Sequence, residues 1–204
     1  MKEYPSITKE VTDNLIGLTS YIFKKYDGSN IRAEWQRKKG WVKFGSRTRL
    51  LDGTDPILGP AIPLFQKKYG ESLARVLTDS KEFKGRQKAV VFCEFLGPNS
   101  FAGTHVAEDQ KDIILFDVEV HQMGIIGPKD FMRIFYTLGV AELLEQGRFN
   151  RDIVEDVRSG KYPVDEGVIA KFGEGHNVKM LKIKTRAYLD RLKNTFPKDW
   201  EQYV

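Results

Sequence analysis

The chain has 204 residues, of which 41% are hydrophobic and 30% charged, the mixture of an ordinary soluble globular protein. No apolar run approaches the roughly 20 residues of a membrane helix, and residues 1–5 lack a signal-peptide core, so we expect a cytoplasmic protein without a membrane partner. Cys93 is the only cysteine, which excludes a disulfide framework and a cysteine-based zinc site.

The net charge of +5 is unevenly distributed. Residues 1–50 hold 11 Lys and Arg against 5 Asp and Glu, a balance of +6, and residues 179–204 hold 7 against 3, a balance of +4. Residues 105–178 hold 8 against 14, a balance of −6. If the two basic ends fold beside each other, they form one positive surface that suits a polyanion such as nucleic acid or a triphosphate. A generic basic surface is the alternative.

Apolar periodicity and turn signals predict a mixture of strands and helices. Strands are predicted at residues 21–25, 31–35, 41–44, 89–96, 112–120, 167–172 and 178–183. Helices are predicted at residues 60–77, 127–137, 140–144, 153–157 and 187–192. The predicted fold class is α+β, built on antiparallel β-sheets with inserted helices, in a single domain over residues 1–204.

A lysine at the end of the first predicted strand precedes an Asp-Gly turn, in the segment Lys24-Lys25-Tyr26-Asp27-Gly28. In extended chain Lys25 and Asp27 point to the same face. A lysine amine is nucleophilic only when deprotonated, and burial or nearby cations lower its pKa. The segment predicts either a lysine that attacks phosphorus or a surface hairpin, in which lysines are common.

Two acidic residues stand out by their positions. Glu94 lies inside an apolar strand and needs a partner, because an unpaired buried charge is costly. A metal ion, a ribose hydroxyl or a structural salt bridge would each satisfy it. Glu166 precedes a predicted strand and suits a hard cation such as Mg²⁺, or else is a solvated acid.

Lys182 and Lys184 alternate with apolar residues and therefore share one strand face. Two adjacent cations form a phosphate clamp and lower the pKa of a neighbouring lysine, unless they only line a solvated face. Lys171 is a weaker candidate for a site residue, since perfect alternation over five residues places it on the opposite face from Glu166.

In this order the segments resemble the motifs of the covalent nucleotidyltransferase superfamily, which includes polynucleotide ligases and capping enzymes. Lys25-Tyr26-Asp27-Gly28 matches the lysine-any-aspartate-glycine nucleophile motif. The other matching segments are Phe92-Cys93-Glu94, Leu115-Phe116-Asp117, Glu166 to Lys171, and Lys182-Ile183-Lys184. The resemblance runs from about residue 4 to residue 188.

Within the superfamily the chain resembles RNA ligases, particularly the phage type that seals nicks in duplex RNA. Asn30 stands where DNA ligases typically carry arginine, and Arg47 aligns with an RNA-ligase arginine. Such ligases usually carry another domain after the lysine pair, and DNA ligases and capping enzymes carry an OB-fold there. Only 20 residues follow Lys184, so we expect a nucleotidyltransferase domain without a C-terminal OB domain, or one that works with a partner protein.

The resemblance implies a nucleotide cleft, as in adenylyltransferase or ATP-grasp-like ligase domains, with ATP and Mg²⁺ or Mn²⁺ as cofactors and nicked or broken RNA ends as partner. Lys25 is then the nucleophile, and Lys182 and Lys184 contact the α-phosphate. The remaining implied roles are metal binding by Glu166 and Glu94, ribose contact by Glu94, adenine stacking by Phe116, AMP or ATP contact by Asn30 and Arg47, and orientation of the RNA ends by Asp27, Arg32 and Asp117. Phe116 and Arg32 have alternative interpretations as a strand aromatic and a strand charge.

Two further functions stay open at this point. One is a small ATP-dependent DNA ligase or a capping-type nucleotidyltransferase. The other is a non-catalytic module that binds nucleic-acid ends. This hypothesis predicts salt-sensitive RNA binding with no covalent AMP.

Overall fold

The computed structural model describes residues 1–97 and 109–203. The strands are β1 (Thr19–Lys25), β2 (Ser29–Gln36), β3 (Gly40–Gly45), β4 (Leu50–Leu51), β5 (Lys88–Leu96), β6 (Asp112–Val120), β7 (Gly124–Ile125), β8 (Leu143–Arg148), β9 (Gly167–Phe172) and β10 (Lys179–Lys184). The α-helices are α1 (Ala61–Phe65), α2 (Glu71–Asp79), α3 (Pro128–Phe135), α4 (Arg151–Arg158) and α5 (Arg186–Thr195). A π-helical turn, Gln66–Gly70, joins α1 to α2. None of the helices in these ranges is long and apolar enough to cross a membrane.

Two sheets organise the chain. One has four strands in the order β10-β9-β1-β8, and the other has six in the order β4-β3-β2-β5-β6-β7. Every pairing between these strands is antiparallel, so the predicted α+β class with antiparallel sheets is confirmed. The sequential strands β1 and β2 lie in different sheets. The hairpin interpretation of the Asp-Gly turn is therefore wrong, because the turn carries the chain from one sheet to the other.

Most predicted elements are present, but the helix expected at residues 140–144 is wrong. Leu143 begins β8, which pairs antiparallel with β1 from Phe23↔Leu143 to Thr19↔Arg148. The segment is rich in Glu, Leu and Ala, residues that favour helices in isolation. Pairing with β1 outweighs that weak local preference.

Strand alternation divides the four-stranded sheet into two faces. Ile22, Val168 and Leu181 pack with Ile153 and Val157 of α4 in one apolar cluster. Phe23 points the other way, into the larger core shared with the six-stranded sheet. Because α4 covers one face, the other face of this sheet is left to line an opening between the two sheets.

Candidate active site

A cleft of about 530 Å³ lies between the two sheets, a volume within the usual range of a small-molecule site. The four-stranded sheet contributes Lys25, Lys182 and Lys184 to its lining, and the six-stranded sheet contributes Asn30 and Glu94. The cleft brings together residues from all five motif segments that the sequence singled out.

The register of the four-stranded sheet places the lysines side by side. Gly167 of β9 is paired with Lys25 on one side and with Lys184 on the other. Lys182 is paired with Ile169, two residues further along the same face. Lysines separated by about 160 residues of sequence therefore share one face and one end of the sheet.

Gly167 has no space for a side chain. Its φ is +152°, and an ideal Cβ would overlap the carbonyl oxygen of Ile183 and lie 2.8 Å from Cα of Lys184. The glycine allows β10 to approach β9 closely at the point where Lys25 and Lys184 flank it.

Glu166 connects two of these lysines. Its side chain is 3% exposed, and its Oε2 atom accepts a hydrogen bond from Lys25 Nζ at 2.7 Å. Its other oxygen, Oε1, lies 3.2 Å from Lys184 Nζ. A buried carboxylate is stable only when it is paired, and this one has a cation at each oxygen.

The three lysines differ in the direction of their pKa shifts. Burial lowers the pKa of Lys25, but the carboxylates of Glu166 and Glu94 outweigh it, and the pKa is raised. Burial and the charges of Lys184 and Lys25 lower the pKa of Lys182. Burial also lowers the pKa of Lys184, although Glu166 opposes it. The expected lowering of the Lys25 pKa is thus not found, because the nearby carboxylates outweigh the effect of burial.

Glu94 faces the cleft from β5 in the six-stranded sheet. Burial raises its pKa from 4.5 to about 7, and Lys25 opposes this only in part. Asn30 of β2 is directly across from Glu94 in the strand pairing. The Oδ1 atom of Asn30 is buried and has no hydrogen-bond partner among the described residues, so it is an acceptor that a ligand hydroxyl could satisfy.

The donor set of the cleft fits a hard cation held jointly with a nucleotide. Within residues 1–97 and 109–203, no group of three or more His, Cys, Asp or Glu forms a metal cage. Glu94 and Glu166 both line the cleft, and the charge of Glu166 helps to raise the pKa of Glu94. In nucleotide sites Mg²⁺ binds one or two protein carboxylates, and phosphate oxygens and water fill its other coordination positions.

Phe116 and Tyr4 of the N-terminal segment both line the cleft. The two rings meet edge to face with centroids 5.1 Å apart, and the Tyr4 hydroxyl donates to the carboxylate of Asp117. The fixed Phe116 ring is available for stacking on a base. Tyr4 was not predicted as a site residue.

Asp117 and Lys171 form a buried ion pair that joins the two sheets. Lys171 Nζ of β9 lies 2.6 Å from Asp117 Oδ1 of β6, and the side chains are 3% and 0% exposed. Asp117 is not among the cleft-lining residues, so its expected contact with an RNA end is not supported. Lys171 does line the cleft, although it was the weaker candidate for a site residue. The alternation of side chains begins at Gly167, the first residue of β9, so the position of Glu166 does not decide which face Lys171 occupies.

Arg32 is also displaced from its expected role. It is 2% exposed, and its guanidinium donates to the carbonyl oxygens of Ser46 at 2.6 Å and Lys2 at 2.8 Å. It is absent from the cleft lining. Its alternation on β2 directs it to backbone carbonyls, so it holds the N-terminal segment and the loop after β3 in place.

The remaining predicted residues, Asp27 and Arg47, both line the cleft. Asp27 accepts a hydrogen bond from the hydroxyl of Tyr188 in α5, at 3.0 Å. The N-terminal segment is hydrogen-bonded to β10, through the N–H of Lys182 and the carbonyl of Thr8 at 2.9 Å. The two basic ends of the sequence are therefore adjacent, as one positive surface requires.

Several solved structures of Naegleria gruberi RNA ligase share this fold. The ligase with PPi has a TM-score of 0.66 and 16% identity, over 95% of this chain and 58% of that chain. A mutant of the ligase with ATP and Mn has a TM-score of 0.67 and 15% identity, over 95% and 59%. Another mutant with AMP and Mn has a TM-score of 0.64 and 17% identity, over 94% and 58%.

The chain spans a little under 60% of the length of these ligases. A scan against protein-family models gives no match, and a search of curated proteins gives none. At identities this low the structural likeness establishes the fold. The chain shares the fold of these RNA ligase structures, so the likeness to RNA ligases that the motifs predicted is confirmed at the level of the fold.

Proposed function

We propose that this chain is an ATP-dependent RNA ligase or RNA-end adenylyltransferase that works through a covalent lysine–AMP intermediate. The observation that carries the proposal is the position of Lys25. Its amine lies in the cleft, 2.7 Å from Glu166. Glu166 also contacts Lys184, one of the two cleft-lining lysines of β10. The structural likeness to an RNA ligase supports the same conclusion.

The proposed reaction has three transfers. The amine of Lys25, after losing a proton, attacks the α-phosphorus of ATP; a P–N bond forms, the bond to the bridging oxygen of the β-phosphate breaks, and pyrophosphate leaves. An oxygen of an RNA 5′-phosphate then attacks the same phosphorus and releases the lysine. A 3′-hydroxyl finally attacks the 5′-phosphorus, and AMP leaves. Each step is a phosphoryl or nucleotidyl transfer, in which positioning and charge neutralisation supply most of the catalysis.

The cleft residues take complementary roles in this proposal. Lys182 and Lys184 lie on the same strand face as Lys25 and neutralise the α-phosphate. Phe116 stacks on adenine, and Glu94 and Asn30 face the ribose from the six-stranded sheet. Arg47 contacts the phosphates, and Asp27 orients the nucleophile turn.

ATP and Mg²⁺ or Mn²⁺ are the proposed cofactors, and the cation would be held by Glu166 and Glu94. When bound, it supplies positive charge to the phosphates and offsets the carboxylates that raise the pKa of Lys25. The Naegleria structures with ATP and Mn are consistent with such a pair.

RNA is the proposed polynucleotide. Asn30 and Arg47 follow the RNA-ligase pattern, and the adjacent basic ends of the chain offer phosphate contacts near the cleft. Comparing sealing of nicked RNA with nicked DNA tests this choice against the DNA-ligase alternative.

The direct test is transfer of label from α-phosphate-labelled ATP to the protein. Lys25→Ala abolishes labelling in this proposal. Lys24→Ala is the matched control, because Lys24 is adjacent in sequence but lies 4.0 Å from Glu142, outside the Glu166 cluster. Retained labelling in Lys25→Ala would refute the assignment, and so would an unlabelled wild type, which is the result that the end-binding alternative predicts.

A further inference from the structure

Tyr188 of α5 contacts two residues of the cleft, Asp27 in the turn after Lys25 and Lys184 of β10. Its hydroxyl donates to Asp27 Oδ1 at 3.0 Å, and Lys184 Nζ lies 4.7 Å from the centre of its ring. The side chain is 1% exposed and lines the cleft. None of the motif segments includes this tyrosine, so its position near the nucleophile is information that only the fold provides.

The helix that carries Tyr188 is fastened to the Glu166 segment. Thr185 caps α5 by accepting a hydrogen bond from the N–H of Tyr188 at 3.1 Å. The Thr185 hydroxyl donates to the carbonyl of Asp165 at 3.0 Å, and its N–H donates to the carbonyl of Glu166 at 3.0 Å. The first turn of α5 is thus held at a fixed place relative to Glu166.

The nucleophile turn is held from two sides. On one side, Gly28 packs so closely on β5 that an ideal Cβ would overlap the carbonyl oxygen of Phe95. On the other side, the Tyr188 hydroxyl binds Asp27. Lys25 is two residues before Asp27, so the position of this turn fixes the direction in which the Lys25 amine leaves β1.

We propose that Tyr188 is a positioning residue for adenylylation: its hydroxyl holds the Asp27 turn and its ring holds Lys184, so that the amine of Lys25 and the charge of Lys184 meet the same phosphate. This inference rests on the proposed function. A cation over a buried aromatic ring and a hydrogen bond to a carboxylate are each strong enough to fix a side chain.

Two substitutions separate the hydroxyl from the ring. Tyr188→Phe keeps the ring and removes only the hydrogen bond to Asp27. Tyr188→Leu also removes the ring beneath Lys184. Because misalignment of reacting groups lowers the rate of the chemical step, we expect about a tenfold lower maximal rate for Tyr188→Phe and about a hundredfold for Tyr188→Leu. For Tyr188→Phe the ATP concentration at half-maximal rate stays unchanged, since Phe116 and the ring beneath Lys184 are both retained.

The measurement is single-turnover transfer of labelled AMP to the full chain, over a range of ATP concentrations. Tyr162→Phe is the matched control: the Tyr162 hydroxyl also binds a carboxylate, that of Glu145, but outside the cleft. Circular dichroism melts of all variants give the folded fraction at the assay temperature.

A lower maximal rate in fully folded Tyr188→Phe, with Tyr162→Phe unaffected, supports the inference. A wild-type rate in Tyr188→Phe would overturn it. A loss that only follows the unfolded fraction, or a change confined to the half-maximal ATP concentration, would also overturn it. If the wild type forms no lysine–AMP, the proposed function itself fails, and that result is distinct from labelled wild type with an unaffected variant.

Discussion

Lys25 and Lys184 share one carboxylate, that of Glu166. Lys25 Nζ lies 2.7 Å from one oxygen, and Lys184 Nζ lies 3.2 Å from the other. Gly167 separates the two lysines across the sheet, and its missing side chain allows the strands to meet there. The relationship explains why a glutamate-glycine pair, a nucleophile motif and a terminal lysine motif occur together in one chain.

Removing the charge of Glu166 tests this relationship. Glu166→Gln keeps the shape of the side chain, but its amide nitrogen then faces one of the two ammonium groups. We expect AMP labelling to fall at least about a hundredfold, and the free energy of unfolding to fall by about 2–4 kcal/mol, because a buried charge cluster loses its anion. Labelling assays and urea melts measure the two effects.

Glu142→Gln is the control for that experiment, since Glu142 is exposed and pairs with Lys24 at 4.0 Å. An exposed pair of this kind contributes about 1 kcal/mol or less. If Glu166→Gln shows the same AMP labelling and the same free energy of unfolding as Glu142→Gln, the shared carboxylate has no role in the site.

Gly167→Ala addresses the close approach of β9 and β10. The added methyl group overlaps the Ile183 carbonyl, so β10 must move away and carry Lys184 with it. We expect a loss of about 3 kcal/mol or more in the free energy of unfolding and loss of labelling. Gly17→Ala provides the comparison, because Gly17 has a φ of +81° but open space around it, and it should lose only about 1 kcal/mol. Equal losses in the two variants would show that β9 tolerates a side chain at residue 167.

The raised pKa of Glu94 makes stability depend on pH. Burial raises this pKa from 4.5 to about 7, so the folded protein favours the neutral carboxyl. That contribution to stability is complete below pH 4.5 and is lost as the pH rises through 7. Glu94→Gln has no charge to bury, and without divalent cations it should melt about 2–4 °C above wild type at pH 8 and close to it at pH 5. A melting difference that is the same at both pH values would contradict this account.

Asp117 and Lys171 should contribute to stability as a unit. Asp117→Leu leaves the buried ammonium of Lys171 unpaired, and we expect a loss of about 3–5 kcal/mol. Lys171→Met in the same chain should restore much of the loss, because an apolar pair can replace a buried ion pair. Double-mutant-cycle melts measure the coupling, and additive losses would show that the two residues act independently.

Local patterns predicted most of the fold and several of the residues that line the cleft, and the wrong predictions have physical causes. β6 and β9 were predicted at their observed bounds because β-branched and aromatic residues fill them. The residues of the Lys25-Tyr26-Asp27-Gly28 motif are contiguous, so the sequence alone contains this part of the site. The role of Arg32 could not, because its partners are backbone carbonyls that any sequence supplies. The role of Tyr188 could not be predicted either, because its partner Asp27 lies 161 residues away in the sequence.

The central claim is that the amine of Lys25 becomes covalently bound to AMP. Intact-mass measurement after incubation with ATP and Mg²⁺, followed by peptide mapping, tests it most directly. The account predicts a gain of one AMP, lost in acid and located on the peptide that contains Lys25. An unchanged mass, or an adduct located on another lysine such as Lys24, would contradict it.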